Sequence, residues 1–167
     1  MDKLTLRAAT ATDFPFIRAL AQRPDYAHFI TDQDDAVLAG YLADPSCRLL
    51  IAEGQDGPAG FALFCEIGDP SGAVELRRLA LAVAGQGRGA GFIAELVDYA
   101  FRDLGAARLW LDASGENLRA MTLYERAGFT REGVLRRHWY RPMLGRVVDM
   151  HLFGMLREEW AALRGGA

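Results

Sequence analysis

A glycine-rich stretch in the middle of the chain limits its fold more than any other feature of the sequence. Residues 86–91 read Gln-Gly-Arg-Gly-Ala-Gly, and they follow an apolar run over 73–83 that predicts a strand. After them, Phe92, Leu96 and Tyr99 repeat at the spacing of a helix. A loop between a strand and a helix offers backbone N–H groups and the positive end of the helix to an anion. The stretch therefore predicts a phosphate-binding loop, and it leaves the identity of the phosphate open.

The segments around this loop predict one mixed sheet. Runs rich in alternating or β-branched residues predict strands, and runs with helical spacing that end at glycine or proline predict helices. The predicted strands are 4–7, 48–53, 59–67, 73–83, 108–112, 132–140 and 146–156, and the predicted helices are 14–20, 32–42, 92–104, 117–127 and 157–167. Because only two of these helices connect strands as crossovers, we predict a single α/β (α+β) domain over 1–167, with its core at about 4–160. Its central sheet would be mostly antiparallel, with about seven strands and helices on its faces.

The predicted strand 73–83 changes phase in its middle. Leu76 lies on one alternation, whereas Leu79, Leu81 and Val83 lie on the other, and the doublet Arg77-Arg78 separates them. A β-bulge shifts the side-chain alternation of a strand by one residue. The sequence therefore predicts a bulge at the two arginines.

Composition excludes several classes of function. The chain of 167 residues has a formal net charge of −3, which argues against binding nucleic acid through a basic surface. Its longest run without a charged or amide side chain is far shorter than the roughly 20 apolar residues of a membrane span. Two cysteines, a first segment without signal-peptide character and three scattered histidines (28, 138 and 151) predict a cytoplasmic protein with no disulfide framework and no metal site.

Charge is distributed unevenly along the chain. Residues 1–100 sum to −6 and residues 101–167 to +3. A segment without Lys or Arg, 24–47, contains five aspartates that could form an acidic wall attracting a cationic amine, or a solvated helix face. Four arginines near the last hairpin could receive cofactor phosphate or an acidic acceptor, or simply keep an edge strand soluble. They are Arg136, Arg137, Arg141 and Arg146.

The glycine loop also satisfies a dinucleotide-binding pattern. Gly89-x-Gly91-x-x-Ala94 matches that fingerprint, and Asp112 ends the next strand about 20 residues later. A doubly wound fold nevertheless needs more βαβ crossovers than the chain after Asp112 can supply. A nucleotide-dependent oxidoreductase remains an alternative, whereas a P-loop is excluded because no Gly-Lys-Ser/Thr follows the glycines.

A second motif favours another ligand. Asn117, Ala120 and Tyr124 lie at i, i+3 and i+7, so they share one face of the predicted helix 117–127. Over seven residues a helix rises about 10 Å, which lets an amide and a phenol contact the two ends of an extended ligand. Gly128 and Phe129 follow this helix directly.

With these two motifs the chain resembles the GNAT superfamily of acyl-CoA-dependent N-acetyltransferases. The pyrophosphate loop of that family, Gln/Arg-x-x-Gly-x-Gly/Ala, is matched by Gln86, Gly89 and Gly91. Its next motif, Asn-x-x-Ala-x-x-x-Tyr-x-x-x-Gly-Phe, is matched by the residues from Asn117 to Phe129. The ending from Glu132 to Trp160 resembles the branch of ribosomal-protein N-terminal, polyamine and antibiotic acetyltransferases.

The resemblance implies a splayed pair of strands, 73–83 beside 108–112, with acetyl-CoA held in the gap. Backbone groups near the end of the first strand would pair with the pantetheine, the glycine loop would hold the pyrophosphate, and Asn117 would contact the pantetheine. The residues implied in acetyl-CoA binding are Leu81, Ala82, Val83, Gln86, Gly87, Arg88, Gly89, Ala90, Gly91, Asn117, Ala120 and Tyr124. The resemblance also implies an amine acceptor, and homodimers are common among such relatives.

The implied reaction needs a base and an acid. A primary amine with a pKa of about 10 is protonated at pH 7 and must lose a proton before it attacks the thioester. By the family position Glu75 is the first candidate for the base, Asp112 the second and Glu66 a distant third, and Tyr124 would protonate the leaving thiolate. A non-catalytic acyl-CoA-binding module on the same fold is the alternative from another class.

Overall fold

The computed structural model describes residues 4–83 and 87–165. The strands are β1 (Thr5–Ala8), β2 (Arg48–Gly54), β3 (Gly57–Cys65), β4 (Ala73–Leu81), β5 (Arg108–Ser114), β6 (Thr130–Arg141) and β7 (Arg146–Leu156). The helices are α1 (Phe14–Ala21), α2 (Pro24–Ala27), α3 (Asp35–Ala43), α4 (Arg88–Arg102), α5 (Leu118–Arg126) and α6 (Arg157–Gly165). Every predicted strand and helix is present, and within the described residues the sequence missed only the four-residue α2 and two short 3-10 turns.

The seven strands form one sheet in the order β1-β2-β3-β4-β5-β7-β6. All neighbouring strands pair antiparallel except β4 and β5, which are parallel and joined through α4. This confirms the predicted mixed, mostly antiparallel sheet flanked by helices. Within the described ranges, no helix is long and apolar enough to cross a membrane.

Helices cover both faces of the sheet. The first face carries α4 and α5, whose Phe92, Leu96 and Met121 pack on strand residues such as Leu109 and Phe153. The second face carries α1 and α3, with a separate cluster that includes Cys47 and Cys65. Two cores on opposite faces leave the middle of the sheet accessible only where neighbouring strands separate.

The predicted bulge in β4 is confirmed. Leu63 of β3 pairs with Arg78 and Phe64 pairs with Leu76, so Arg77 is the extra residue. Beyond the bulge, Arg78 faces the α1 and α3 side, as its partner Leu63 does. The bulge thus places two consecutive arginines next to the opening described below.

Strands β4 and β5 pair over only three residues. Ala73, Val74 and Glu75 are matched with residues 108–110, after which β4 continues along β3 while β5 continues along β7 up to Ser114. The two central strands therefore diverge, and a gap opens between Leu81 on one side and Asp112 on the other. This is the splayed pair that the resemblance implied.

Candidate functional site

The edge of β4 that borders the gap carries backbone groups that pair with no neighbouring strand. Ala82 N–H donates to Ala59 O at 2.7 Å, toward β3. Because successive residues of a strand alternate their backbone groups, the N–H and C=O of Leu81 point the other way, into the gap. Both are held by Tyr26 of α2, whose hydroxyl accepts from Leu81 N–H and donates to Leu81 O, each at 2.9 Å. The Tyr26 hydroxyl therefore binds the backbone groups of Leu81 that could otherwise pair with an added extended chain.

The first turn of α4 lies at one end of the site and presents backbone amides without helical partners. Gly87 is the N-cap with φ of 77°, a conformation that costs glycine little and other residues more. The first helical hydrogen bond runs from Gly91 N–H to Gly87 O at 3.1 Å, so the amides of residues 88–90 have no partner within the helix. Arg88, Gly89 and Ala90 lie where the sequence predicted them, and Gln86 lies outside the described residues.

A cavity of about 400 Å³ lies between this turn and the hairpin of β2 and β3. Its walls include Leu81, Ala82 and Val83 from the end of β4, Arg88 and Gly91 from α4, and the turn 54–59. Five residues predicted to bind acetyl-CoA therefore share one concave surface. A strand edge, a helix N-terminus and an adjoining cavity are features that fit an extended diphosphate ligand.

Helix α5 lies on the opposite side of the gap. Asn117 is its N-cap, and its side-chain oxygen accepts from Ala120 N–H at 3.1 Å. The amide nitrogen of Asn117 has no partner among the described residues. Ala120 is partly exposed beside it, so the short side chain leaves room between Asn117 and Tyr124.

Tyr124 is buried at the base of the gap. It is 6% exposed and packs against Phe129 and Phe153, with ring centroids 6.2 and 5.6 Å away. Burial, followed by the charges of Asp112 and Tyr26, raises its pKa above the ordinary range. Its hydroxyl makes no hydrogen bond within the part of the chain that the structure describes. The phenol is therefore protonated at neutral pH and free to donate.

Asp112 faces the gap from β5. Its neighbours Leu111 and Ala113 point into the core under α4 and α5, so Asp112 points to the other face. Burial and the negative charge of Glu75 raise its pKa to about 6, although three cationic groups, Arg77, Arg141 and His138, act in the opposite direction. A carboxyl group with this pKa exchanges protons readily near neutral pH.

The other two candidates for the base, Glu75 and Glu66, each accept a hydrogen bond from a neighbouring side chain. Glu75 is 6% exposed, and its Oε2 accepts from Arg77 Nε at 2.8 Å. Glu66 is exposed, and its Oε2 accepts from Trp110 Nε1 at 2.8 Å. The structure thus brings Glu75 and Asp112 together at the gap and places Glu66 at the end of β3, in contact with β5.

The aspartates of the predicted acidic wall all have partners within the chain. Asp32 and Asp35 bind Arg18, and Asp25 binds Arg23. Asp34 caps α3 through Val37 N–H, and Asp44 accepts from Ser46. These side chains stabilise the segment from α1 to α3. This agrees with the second interpretation of the aspartate-rich sequence, a solvated helix face.

Two features of the gap escaped the sequence analysis. Tyr26 was missed because α2 is too short to show a periodic pattern. The sequence marks Arg78 only as part of a bulge, although the structure places it beside Arg141. The phase change of β4 is the one sequence signal at this position. Of the four C-terminal arginines, the structure buries Arg141 alone.

In the described ranges, no cluster of His, Cys, Asp and Glu side chains is arranged to hold a metal ion.

Comparison with known proteins identifies the family. A model described as an acetyltransferase (GNAT) domain matches residues 3–130. A curated relative, the uncharacterized N-acetyltransferase p20 of Bacillus licheniformis, is 31% identical over 77 residues, and this match covers 46% of the chain and 42% of that protein. The chain thus spans less than half the length of the curated relative that it matches.

Solved structures agree over almost the whole chain. Spermidine N-acetyltransferase of Vibrio cholerae in complex with CoA and spermine has a TM-score of 0.82 at 23% identity, covering 95% of this chain and 98% of that one. A chimera of that enzyme with hSSAT has the same TM-score at 25% identity and the same coverage. A dodecameric structure of the enzyme has a TM-score of 0.79 at 25% identity, covering 95% and 96% of the two chains. The family match and the splayed sheet together show that this chain belongs to the GNAT acetyltransferase family.

Proposed function

We propose that the protein transfers an acetyl group from acetyl-CoA to a primary amine by direct attack within a ternary complex. The observation that carries this proposal is the gap between β4 and β5, where Asp112 and the buried Tyr124 approach each other. A base near neutral pKa and a protonated phenol at one opening are what amine acetylation requires. Relatives described as spermidine N-acetyltransferases support the same reaction class.

The residues around the gap fit acetyl-CoA. Leu81 offers an N–H and a C=O to a pantetheine amide once Tyr26 releases them, and the first turn of α4 offers its unpaired amides to the diphosphate. The amide nitrogen of Asn117 can donate to a carbonyl oxygen of the same arm. Bound there, acetyl-CoA would supply the acetyl group as a thioester.

Asp112 is the base in this proposal. It would accept a proton from the acceptor ammonium, directly or through one water, and leave a neutral amine. Glu75, although the first choice from the family position, shares its carboxylate with Arg77 and raises the pKa of Asp112 by its charge. We therefore assign Glu75 to tuning Asp112 rather than to proton transfer.

Tyr124 is the acid. As the amine nitrogen bonds to the acetyl carbon, the bond between that carbon and sulfur breaks, and the sulfur takes the electron pair. Tyr124 donates its hydroxyl proton to the sulfur, which leaves as the free thiol of CoA. The nitrogen becomes positively charged as it bonds to the acetyl carbon, and it loses its second proton to give the neutral amide. The Tyr124 phenolate, whose pKa burial raises, takes up this proton directly or through water, and the proton on Asp112 passes to solvent.

The test is release of CoA thiol from acetyl-CoA in the presence of a panel of amines. We expect turnover with at least one amine and a fall in kcat of about 100-fold in Tyr124→Phe, with acetyl-CoA affinity preserved. Acetyl-CoA binding without thiol release for any amine would instead identify a non-catalytic binding module. Stabilisation by NAD(H) and not by CoA would favour the oxidoreductase.

We also propose that the chain self-associates. Its β6–β7 hairpin exposes apolar side chains, among them Val134, Leu135, Tyr140 and Val147. A related enzyme is described as dodecameric. Light scattering after size-exclusion chromatography tests this proposal, and a monomer at micromolar concentration would refute it.

A further inference from the structure

Two arginines from distant parts of the chain lie next to each other at the loop between α2 and α3. Arg78 Nη1, from β4, donates to Thr31 O at 2.7 Å. Arg141, at the end of β6, donates from Nε to His28 O at 2.9 Å and from Nη1 to Thr31 Oγ1 at 3.4 Å. The guanidinium of Arg141 also lies over the ring of Trp139, 4.1 Å from its centroid. The loop between α2 and α3 thus holds two cationic heads beside each other.

Neither of these cations has a carboxylate partner among the described residues. Arg141 is only 1% exposed, and Arg78 is half-buried. The acidic residues nearby are taken, since Glu75 binds Arg77 and Asp32 binds Arg18 and Gln22. Burial lowers the pKa of both guanidinium groups, and the charge of Arg78 lowers that of Arg141 further. Buried like charges without a counter-ion are unfavourable, and a bound anion would offset that cost.

Of these two cations, Arg141 lies within electrostatic reach of the proposed base. Arg141 and Arg77 both stabilise the carboxylate of Asp112, and Asp112 in turn stabilises the charge of Arg141. Glu75 and Arg77 cancel each other as an ion pair. Arg78 and Arg141 then carry two positive charges beside the single negative charge of Asp112.

We propose that the acceptor is an amine that carries a carboxylate close to its nitrogen, as an α-amino acid does, and that Arg78 and Arg141 bind that carboxylate. This rests on the proposed acetyl transfer. The ammonium group would face Asp112 while the carboxylate lies toward the two arginines, so each buried charge gains a partner. A polyamine would add further positive charge to a region that is already positive. The site therefore disfavours the acceptor class named for the structural relatives.

The experiment compares matched acceptors. Purified protein and acetyl-CoA are incubated with a panel of free amino acids, with the corresponding amino acid amides and with spermidine, and released thiol is counted. The amides keep the amine and lose the carboxylate, and they also resemble a peptide N-terminus. We expect a kcat/KM for the best free amino acid that is on the order of 10- to 100-fold above that of its amide, the effect of one charge-assisted interaction.

Substitutions of Arg78 test whether this residue causes the preference for free amino acids over their amides. Arg78→Gln should lower kcat/KM for the free amino acid by a similar factor and for its amide by much less, whereas Arg78→Lys should retain part of the preference. Arg136→Gln, an exposed arginine on β6, is the matched control and should change neither substrate. Equal losses for acid and amide in Arg78→Gln would overturn the assignment, and unfolding curves of each variant verify that it folds.

The two proposals fail in different ways. Preferred turnover of spermidine or of the amides overturns the carboxylate site and leaves acetyl transfer to an amine intact. No thiol release with any amine overturns acetyl transfer and the carboxylate site with it.

Discussion

Replacing Asp112 with asparagine is expected to stabilise the fold at neutral pH while it removes most of the activity. The folded protein raises the pKa of this carboxyl from 3.8 to about 6, because burial and Glu75 disfavour the charged form. Stability contributed by the protonated group is therefore complete below pH 3.8 and is lost as the pH rises through about 6. At pH 7.5 the carboxylate destabilises the fold by about 3 kcal/mol, and at pH 4.5 by only about 1 kcal/mol.

The assay is urea-induced unfolding of wild type and Asp112→Asn at these two pH values. Asparagine cannot titrate, so its advantage over aspartate should be larger at pH 7.5 than at pH 4.5 by about 2 kcal/mol. Any constant effect of the amide on packing cancels in this difference. Asp103→Asn makes the same substitution at an exposed carboxylate after α4 and is the matched control; the pH-dependent gain of Asp112→Asn should exceed that of this variant.

Kinetics complete this test. If Asp112 is the base, kcat/KM of the wild type should fall below about pH 6, since the protonated carboxyl cannot accept a proton. Asp112→Asn should lose that limb together with about 100-fold or more in rate. A stability difference that does not change with pH, or an unaltered pH profile in the variant, would refute the reasoning.

Three further substitutions test other parts of the site. Tyr26→Phe should free the backbone of Leu81 and tighten acetyl-CoA binding by up to about tenfold, measured by calorimetry, since one hydrogen bond contributes about 1 kcal/mol; unchanged or weaker binding would show that Tyr26 does not compete. Gly87→Ala should cost about 1 kcal/mol in urea unfolding, because φ is 77° there and no atom would contact the added Cβ within 4 Å. Glu75→Gln should move the acid limb of the kcat/KM profile below that of the wild type, because it removes a negative charge next to Asp112; an unmoved limb would contradict the tuning role.

The order of elements could be predicted from sequence because it depends on local patterns. Apolar periodicity and glycine or proline at the ends marked every strand and all helices but α2. Even the bulge at Arg77 left a local trace in the phase of its strand. Only α2 had too few residues to show a period, and its Tyr26 was missed for that reason.

The choice of base could not be predicted in this way. Glu75 and Asp112 look alike in sequence, and family position favoured Glu75. The structure separates them by their partners, since Glu75 has an arginine at 2.8 Å while Asp112 is desolvated beside a like charge. These environments arise from where β4 leaves β5, which is a long-range property of the sheet. Likewise, nothing local distinguishes Arg141 from the exposed Arg136.

Unfavourable electrostatics are concentrated at one place in this molecule. Most buried or half-buried acids elsewhere are paired, as Asp13 is with Arg7 and Asp98 with Arg164. At the gap, by contrast, a carboxyl group with a raised pKa lies near Arg141, and neither Arg141 nor the neighbouring Arg78 has a carboxylate partner among the described residues. Such arrangements persist where a ligand supplies the missing charges. A zwitterionic acceptor matches both signs at once, and this is why the same residues account for the proposed proton transfer and for the proposed choice of substrate.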